Sequence, residues 1–147
     1  MLLGIDTILT GEMLKALDEM GHGDMVVIAD AHFTASKLAK KNLVYLPGLS
    51  SPRVMRAVRS VFVPDEYEDY QLGLMASPDA DLLPVQNELI QAARLDSTQV
   101  GLLSRHDFYA RAAEAQLIVR TGETRVYGNA LFFKGVTPVD SDSEPLS

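Results

Sequence analysis

Apolar and polar positions alternate along this chain between two periods. Met13, Leu14, Leu17 and Met20 recur at helical spacing, so they share one face of a helix that Thr10 can cap and Gly21 can end. Met25–Ala29 is instead a short unbroken apolar run, the mark of a strand covered on both faces. Residues 43–46, 72–76, 100–103, 117–119 and 130–133 read as further strands. Ser51 followed by Pro52 is a cap with proline in the first turn, starting a helix that carries Met55, Val58, Val61 and Phe62 inward. Two more helices are predicted, over 85–95 with Leu89, Ala92 and Ala93 buried, and over 108–115. Strands alternating with helices predict an α/β layer fold on a mostly parallel sheet. One domain is expected over 1–138. After it, residues 139–147 are polar and acidic, with nothing to bury, and read as a flexible tail.

Composition narrows what such a domain can do. Its 147 residues, 47% hydrophobic and 22% charged, suit a single self-sufficient core. Without cysteine there is no disulfide framework and no thiolate metal site, which suits a reducing compartment. The amino terminus has no basic region followed by an apolar run, and no segment nears the roughly 20 apolar residues of a membrane span. A cytoplasmic protein is therefore expected. The net charge of −7 repels phosphate backbones and anionic lipid, which sets nucleic acid and membranes aside as partners. A neutral small molecule such as a sugar stays open. Glycine-rich dinucleotide motifs, a P-loop and a serine nucleophile elbow are all absent from the sequence, so no cofactor is expected.

In sheets of this kind, sites form at strand ends and in the loops beyond them. Gly21-His22-Gly23-Asp24 precedes the first strand and Asp30-Ala31-His32-Phe33 follows it. A histidine between two glycines is little crowded, and histidine as a residue type, with a reference pKa of about 6.5, can give or take a proton at neutral pH. The plainer reading is a surface histidine whose glycines shape a turn. Asp30 ends an apolar strand, where a carboxylate is costly unless paired or used; it can bind sugar hydroxyls or cap the next turn. His32 is a metal ligand, a helix-end contact or a packed ring. His22 with Asp24 and Asp30 with His32 are metal-ligand types, but the eight residues between the pairs span about 26 Å when extended, too far for one ion unless the chain folds back. The same distance separates His22 from Asp30, so either the segment is less straight than an extended strand or, as is favoured, a neighbouring subunit contributes to the site. Asp65, in Val63-Pro64-Asp65-Glu66-Tyr67, is by pattern a turn residue. Arg105 and Tyr109 stand four apart and share a helix face, for hydroxyl contacts or a surface ion pair. Tyr127-Gly128-Asn129 leads into the last strand, where glycine permits close backbone approach and asparagine is depleted unless it makes a specific contact.

Taken in order, these segments resemble the RbsD/FucU family of sugar mutarotases, on its L-fucose side. Met20-Gly21-His22-Gly23-Asp24, Asp30-Ala31-His32-Phe33, Asp65-Glu66-Tyr67 and the stretch from Arg105 to Arg111 are similar to that family's motifs. So are Thr121-Gly122-Glu123, Tyr127-Gly128-Asn129 and Lys134-Gly135-Val136-Thr137-Pro138, and the similarity reaches nearly the whole chain up to Pro138. The resemblance implies a three-layer α/β/α fold, no cofactor, and homo-oligomeric rings, commonly decamers in bacteria, with sites near subunit contacts. It implies His22 as proton donor, Asp65 as a second acid–base residue and Asp30 as the sugar-binding carboxylate. Arg105, Tyr109, Tyr127 and Asn129 match sugar-binding positions. The ribose side usually has His in place of Arg105 and Tyr-Ala-Asn in place of Tyr127-Gly128-Asn129. The chain departs from the family at Thr34, where proline is usual, at His106, where an aromatic residue is usual, and at Ala110 and Ala112, which thin the usual charge of that helix.

Overall fold

The computed structural model describes residues 1–79 and 81–139. Its elements run α1 (Gly11–Glu19), β1 (Met25–Ala29), α2 (Ala35–Leu38), β2 (Asn42–Leu46), α3 (Ser51–Arg59) and β3 (Leu72–Met75). They continue as α4 (Pro84–Ala92), a 3-10 turn (Ser97–Gln99), β4 (Val100–Leu103), α5 (Arg105–Ala112), β5 (Leu117–Thr121) and β6 (Ala130–Phe133). The strands form one sheet in the order β2-β5-β1-β6-β3-β4. β6 is antiparallel to both its neighbours, and every other pairing is parallel. The sheet is mixed and mostly parallel, as the alternation of elements predicts.

Each face of the sheet carries its own core. Val26, Ile28, Leu72, Leu74, Leu117, Val119 and Phe132 point to one face and pack against Met13, Leu17, Val54, Met55, Val58 and Leu89 from α1, α3 and α4. Val27, Ala29, Ile118, Leu131 and Phe133 point to the other, against Ala35, Phe108 and Ala112 from α2 and α5. This is the three-layer arrangement, and it explains why β1 is buried at all five positions. Met55 is wholly buried, so cutting it to alanine costs about 2–5 kcal/mol. Among the described residues, no helix is long and apolar enough to cross a membrane.

Several boundaries differ from the sequence reading. α1 stops at Glu19 with an extended Met20, and Gly21 does not take the left-handed turn of a glycine cap. Lys134 ends the helix instead: its Nζ donates to the carbonyls of Leu17 at 2.7 Å and Met20 at 2.8 Å. The cap of α3 is Ser50 rather than Ser51, with Oγ accepting the Arg53 N–H at 3.2 Å. α4 closes at Ala92, short of residue 95. α5 begins at Arg105 behind the Ser104 cap and ends at Ala112, because its first turn is exposed and polar and carries no apolar period. α2 is a single turn with one buried residue, too short to leave a pattern. The acidic tail lies outside the described residues from 140 onward, and Val139 before it is exposed.

Candidate active site

The parallel strands all end on one edge of the sheet, and β6 begins there. At this edge Asp30, Arg105, Tyr109, Tyr127 and Asn129 come together with His32, Phe33, Met75 and Val126 around a cavity of about 280 Å³. These residues arrive from the ends of β1 and β3, from α5 after β4 and from the loop before β6, the usual place for ligands in such sheets. Asp30 is 3% exposed, and burial pushes its carboxyl pKa above the usual value; the His32 N–H, donating to Oδ1 at 3.0 Å, opposes that rise. Asn129 Oδ1 accepts the Asp30 N–H at 2.7 Å, so the asparagine before β6 locks the end of β1. Arg105 lies over the Tyr109 ring at 5.3 Å, on the face that their spacing predicts. Tyr109 in turn meets Phe33 edge to face at 5.5 Å. Tyr127 holds a left-handed backbone at φ 64, which costs a non-glycine residue about 1–3 kcal/mol.

His22 and Asp65 are not in this pocket. They sit at the opposite edge of the sheet, before β1 and beside the end of β6. From Asp24 to Asp30 the chain runs about 20 Å as a strand. The glycine that shapes the histidine turn is Gly23, at φ 85. Asp24 Oδ2 accepts the Gly21 N–H at 2.8 Å, and Lys134 pins the turn through Gly23 N–H to Lys134 O at 2.8 Å and Lys134 N–H to Asp24 O at 2.9 Å. Asp24 is thus a turn-former. Asp65 is 2% exposed yet has turn geometry, its Oδ1 accepting the Tyr67 N–H at 3.1 Å. It flanks the histidine turn: a Cβ built on Gly23 would stand 3.6 Å from Asp65 Oδ2. His22 is exposed, and its ring lies 6.3 Å from that of Tyr67, itself 84% exposed. Asp65 and Tyr67 also line a second cavity of about 430 Å³ with Arg59 and Arg94.

The two carboxylate–histidine pairs therefore lie at opposite edges and cannot meet at one ion within a single chain. His32 has a local role, its Nε2 donating to the Thr124 carbonyl at 3.0 Å. Phe33 and Met75 escape notice as site residues because their apolar character reads as core. Glu123, in the sequence only a part of the Thr121-Gly122-Glu123 segment, has no role legible there. It is 5% exposed and Arg125 holds its carboxyl below the usual range.

Residues 3–137 match the model of the family described as the RbsD / FucU transport protein family. A protein named L-fucose mutarotase from Haemophilus influenzae (strain PittGG) is 40% identical over 144 residues, covering 95% of this chain and 99% of its own. Another of that name, from Glaesserella parasuis serovar 5 (strain SH0165), is 38% identical over 147 residues, covering 97% and 100%. The crystal structure of the fucose mutarotase in complex with L-fucose from Streptococcus pneumoniae superposes with a TM-score of 0.85 at 33% identity, covering 93% of this chain and 100% of that one.

Proposed function

The chain belongs to the RbsD/FucU family, and from that premise we propose that it is a sugar mutarotase, an isomerase that interconverts the α and β anomers of L-fucose or a closely related monosaccharide. The observation that carries this is the convergence of Asp30, Arg105, Tyr109, Tyr127 and Asn129 on one pocket. A buried carboxylate, a guanidinium, two phenols and an amide suit the hydroxyls of a pyranose, and charged acceptors bind hydroxyls strongly. Phe33, Met75 and Val126 add an apolar wall against which the C6 methyl of a 6-deoxy sugar can rest.

Mutarotation needs no cofactor. One proton reaches the ring oxygen as the C1–O5 bond breaks, and one leaves the anomeric hydroxyl, giving the open-chain aldehyde. C1 turns and the ring closes on the other face, returning both protons. His22 delivers the proton, Asp65 beside it is the second acid–base group, and Asp30 binds the sugar. Such assistance contributes on the order of 10² to 10⁴ in rate. Since His22 and Asp65 stand at the far edge of the sheet, they serve the pocket of a neighbouring copy. The protein then works as a homo-oligomer, a decameric ring by family resemblance, in the cytoplasm. Light scattering on the purified protein checks the subunit count.

Anomer exchange followed by saturation-transfer NMR on L-fucose, D-ribose and related sugars tests the function. Catalysed exchange is expected, fastest with L-fucose and unchanged by EDTA. Binding without exchange would instead identify a sugar-binding accessory of uptake, a reading favoured by the distance of His22 from the pocket within one chain. Exchange fastest with ribose would identify a ribose-type mutarotase.

A further inference from the structure

The loop from β5 to β6 carries Tyr127 and Asn129 into the pocket, and its other side is built around one buried charge. Glu123 Oε2 accepts the Arg125 backbone N–H at 3.1 Å and its Nε at 3.0 Å, while Oε1 accepts Nη2 at 3.0 Å. The same carboxylate is favoured by the Ser51 N–H at the start of α3. Arg125 reaches out from this fork to Glu88 on α4, with both Nη atoms donating to its carboxylate. The loop backbone lies directly on the Glu123 stem: a Cβ on Gly128 would stand 2.9 Å from Glu123 Cγ and 3.1 Å from Ser51 Oγ. That Ser51 hydroxyl is buried without a hydrogen-bond partner among the described residues. Between fork and pocket stands the left-handed Tyr127, a conformation that persists only where its surroundings impose it.

We propose that Glu123 is a positioning residue, whose fork with Arg125, braced by Glu88, holds Tyr127 and Asn129 in their places on the sugar. The inference rests on reading that pocket as the sugar site. Nothing in the fork touches the cavity, so Glu123 acts through the loop. The bidentate pair fixes both the angle and the distance of the turn, and a lysine or a glutamine cannot reproduce that geometry. Because the loop supplies binding groups while His22 lies at the other edge, loss of the fork should weaken binding more than turnover.

The test compares wild type, Glu123→Gln, Tyr127→Ala and the double variant in anomer exchange of L-fucose, reading KM and kcat separately. Glu123→Gln is expected to raise KM about tenfold while kcat stays within about threefold, in line with the loss of hydrogen bonds to a charged group. In the Tyr127→Ala background the same change should raise KM by less than about twofold, because interacting positions are not additive. Equal increases in both backgrounds would reduce Glu123 to a structural residue and overturn the proposal, as would a lowered Tm with KM unchanged. If Glu123→Gln fails to fold, Arg125→Lys, which keeps the charge and loses the fork, should give the same pattern. Should wild type bind L-fucose without exchanging it, the catalytic reading fails alone, and the four proteins are compared by L-fucose Kd in an NMR titration. Absence of L-fucose binding by wild type would overturn both readings.

Discussion

The two ends of β1 are organised in opposite ways. At its carboxyl end, Asp30 is buried, its backbone is tied to Asn129, and aromatic rings and an arginine close around it. At its amino end, a buried Asp65 lies under an exposed histidine turn, and the neighbouring Tyr67 faces solvent. The first arrangement can bind a ligand within one chain. The second leaves the His22 ring exposed beside the buried Asp65, and proton transfer works best in a site that water has left. On the proposed reading these ends are a binding half and an acid–base half, and a second copy of the chain is required to bring them to one sugar.

The largest effect should come from breaking the acid–base half. His22→Ala is expected to lower catalysed exchange by about 10² to 10⁴ while leaving sugar binding largely intact. If the halves belong to different copies, unfolding and refolding His22→Ala together with Asp30→Asn should restore part of the activity, because some pockets then combine an intact Asp30 with an intact neighbouring His22. NMR exchange on the refolded mixture checks this. A mixture no more active than its components would place both halves of each site in one chain.

The binding half should respond next. Asp30→Asn removes a charged acceptor and should reduce kcat/KM on the order of 10²-fold. Burial raises the Asp30 pKa above the ordinary aspartate value, so in wild type the carboxylate takes up its proton at a higher pH than an exposed aspartate. The acid limb of kcat/KM should therefore lie above that value and disappear in Asp30→Asn. The sign for stability runs the other way from catalysis. In the window between the unfolded and folded pKa values the native state binds the extra proton, so the stabilisation it gives is complete at low pH and lost as pH rises through the folded pKa. Near neutrality the ionised Asp30 is thus a cost to folding, and Asp30→Asn should melt no lower than wild type, as befits a residue kept for function. A pH series of thermal melts checks this.

The central strands were legible because strands buried on both faces read as unbroken apolar runs, β1 above all, whereas the three layers came from the family resemblance. Asp30 and Asn129 were legible for the converse reason, being polar where the pattern calls for apolar. Asp65 was not, since its local form is that of a turn aspartate and only the fold packs the His22 turn against it. The acid–base role proposed for His22 rests on family resemblance, because an exposed histidine between glycines has no local signature of its own. Glu123 was legible only as part of the Thr121-Gly122-Glu123 segment, with no role of its own. Its burial comes from Ser51 and Gly128, which only the fold brings near. Local pattern thus reports what a residue does to its own strand or turn, while a site is defined by contacts between segments.

The smallest effect separates the two halves most sharply. Lys134 supports the histidine end alone, its ammonium on the last carbonyls of α1 and its backbone on Gly23 and Asp24. Lys134→Met keeps much of the stem and removes the charge, leaving those carbonyls without their donor. Half-buried, the contact is worth about 1–2 kcal/mol, or roughly 2–8 °C in Tm. The turn that aims His22 would loosen while the pocket around Asp30 stays as it was. Turnover of L-fucose should then fall a few-fold with KM unchanged, the mirror image of the response expected at Glu123. Should Lys134→Met raise KM as well, the amino end of β1 would also hold the sugar in place, and the division into a binding half and an acid–base half would have to be redrawn.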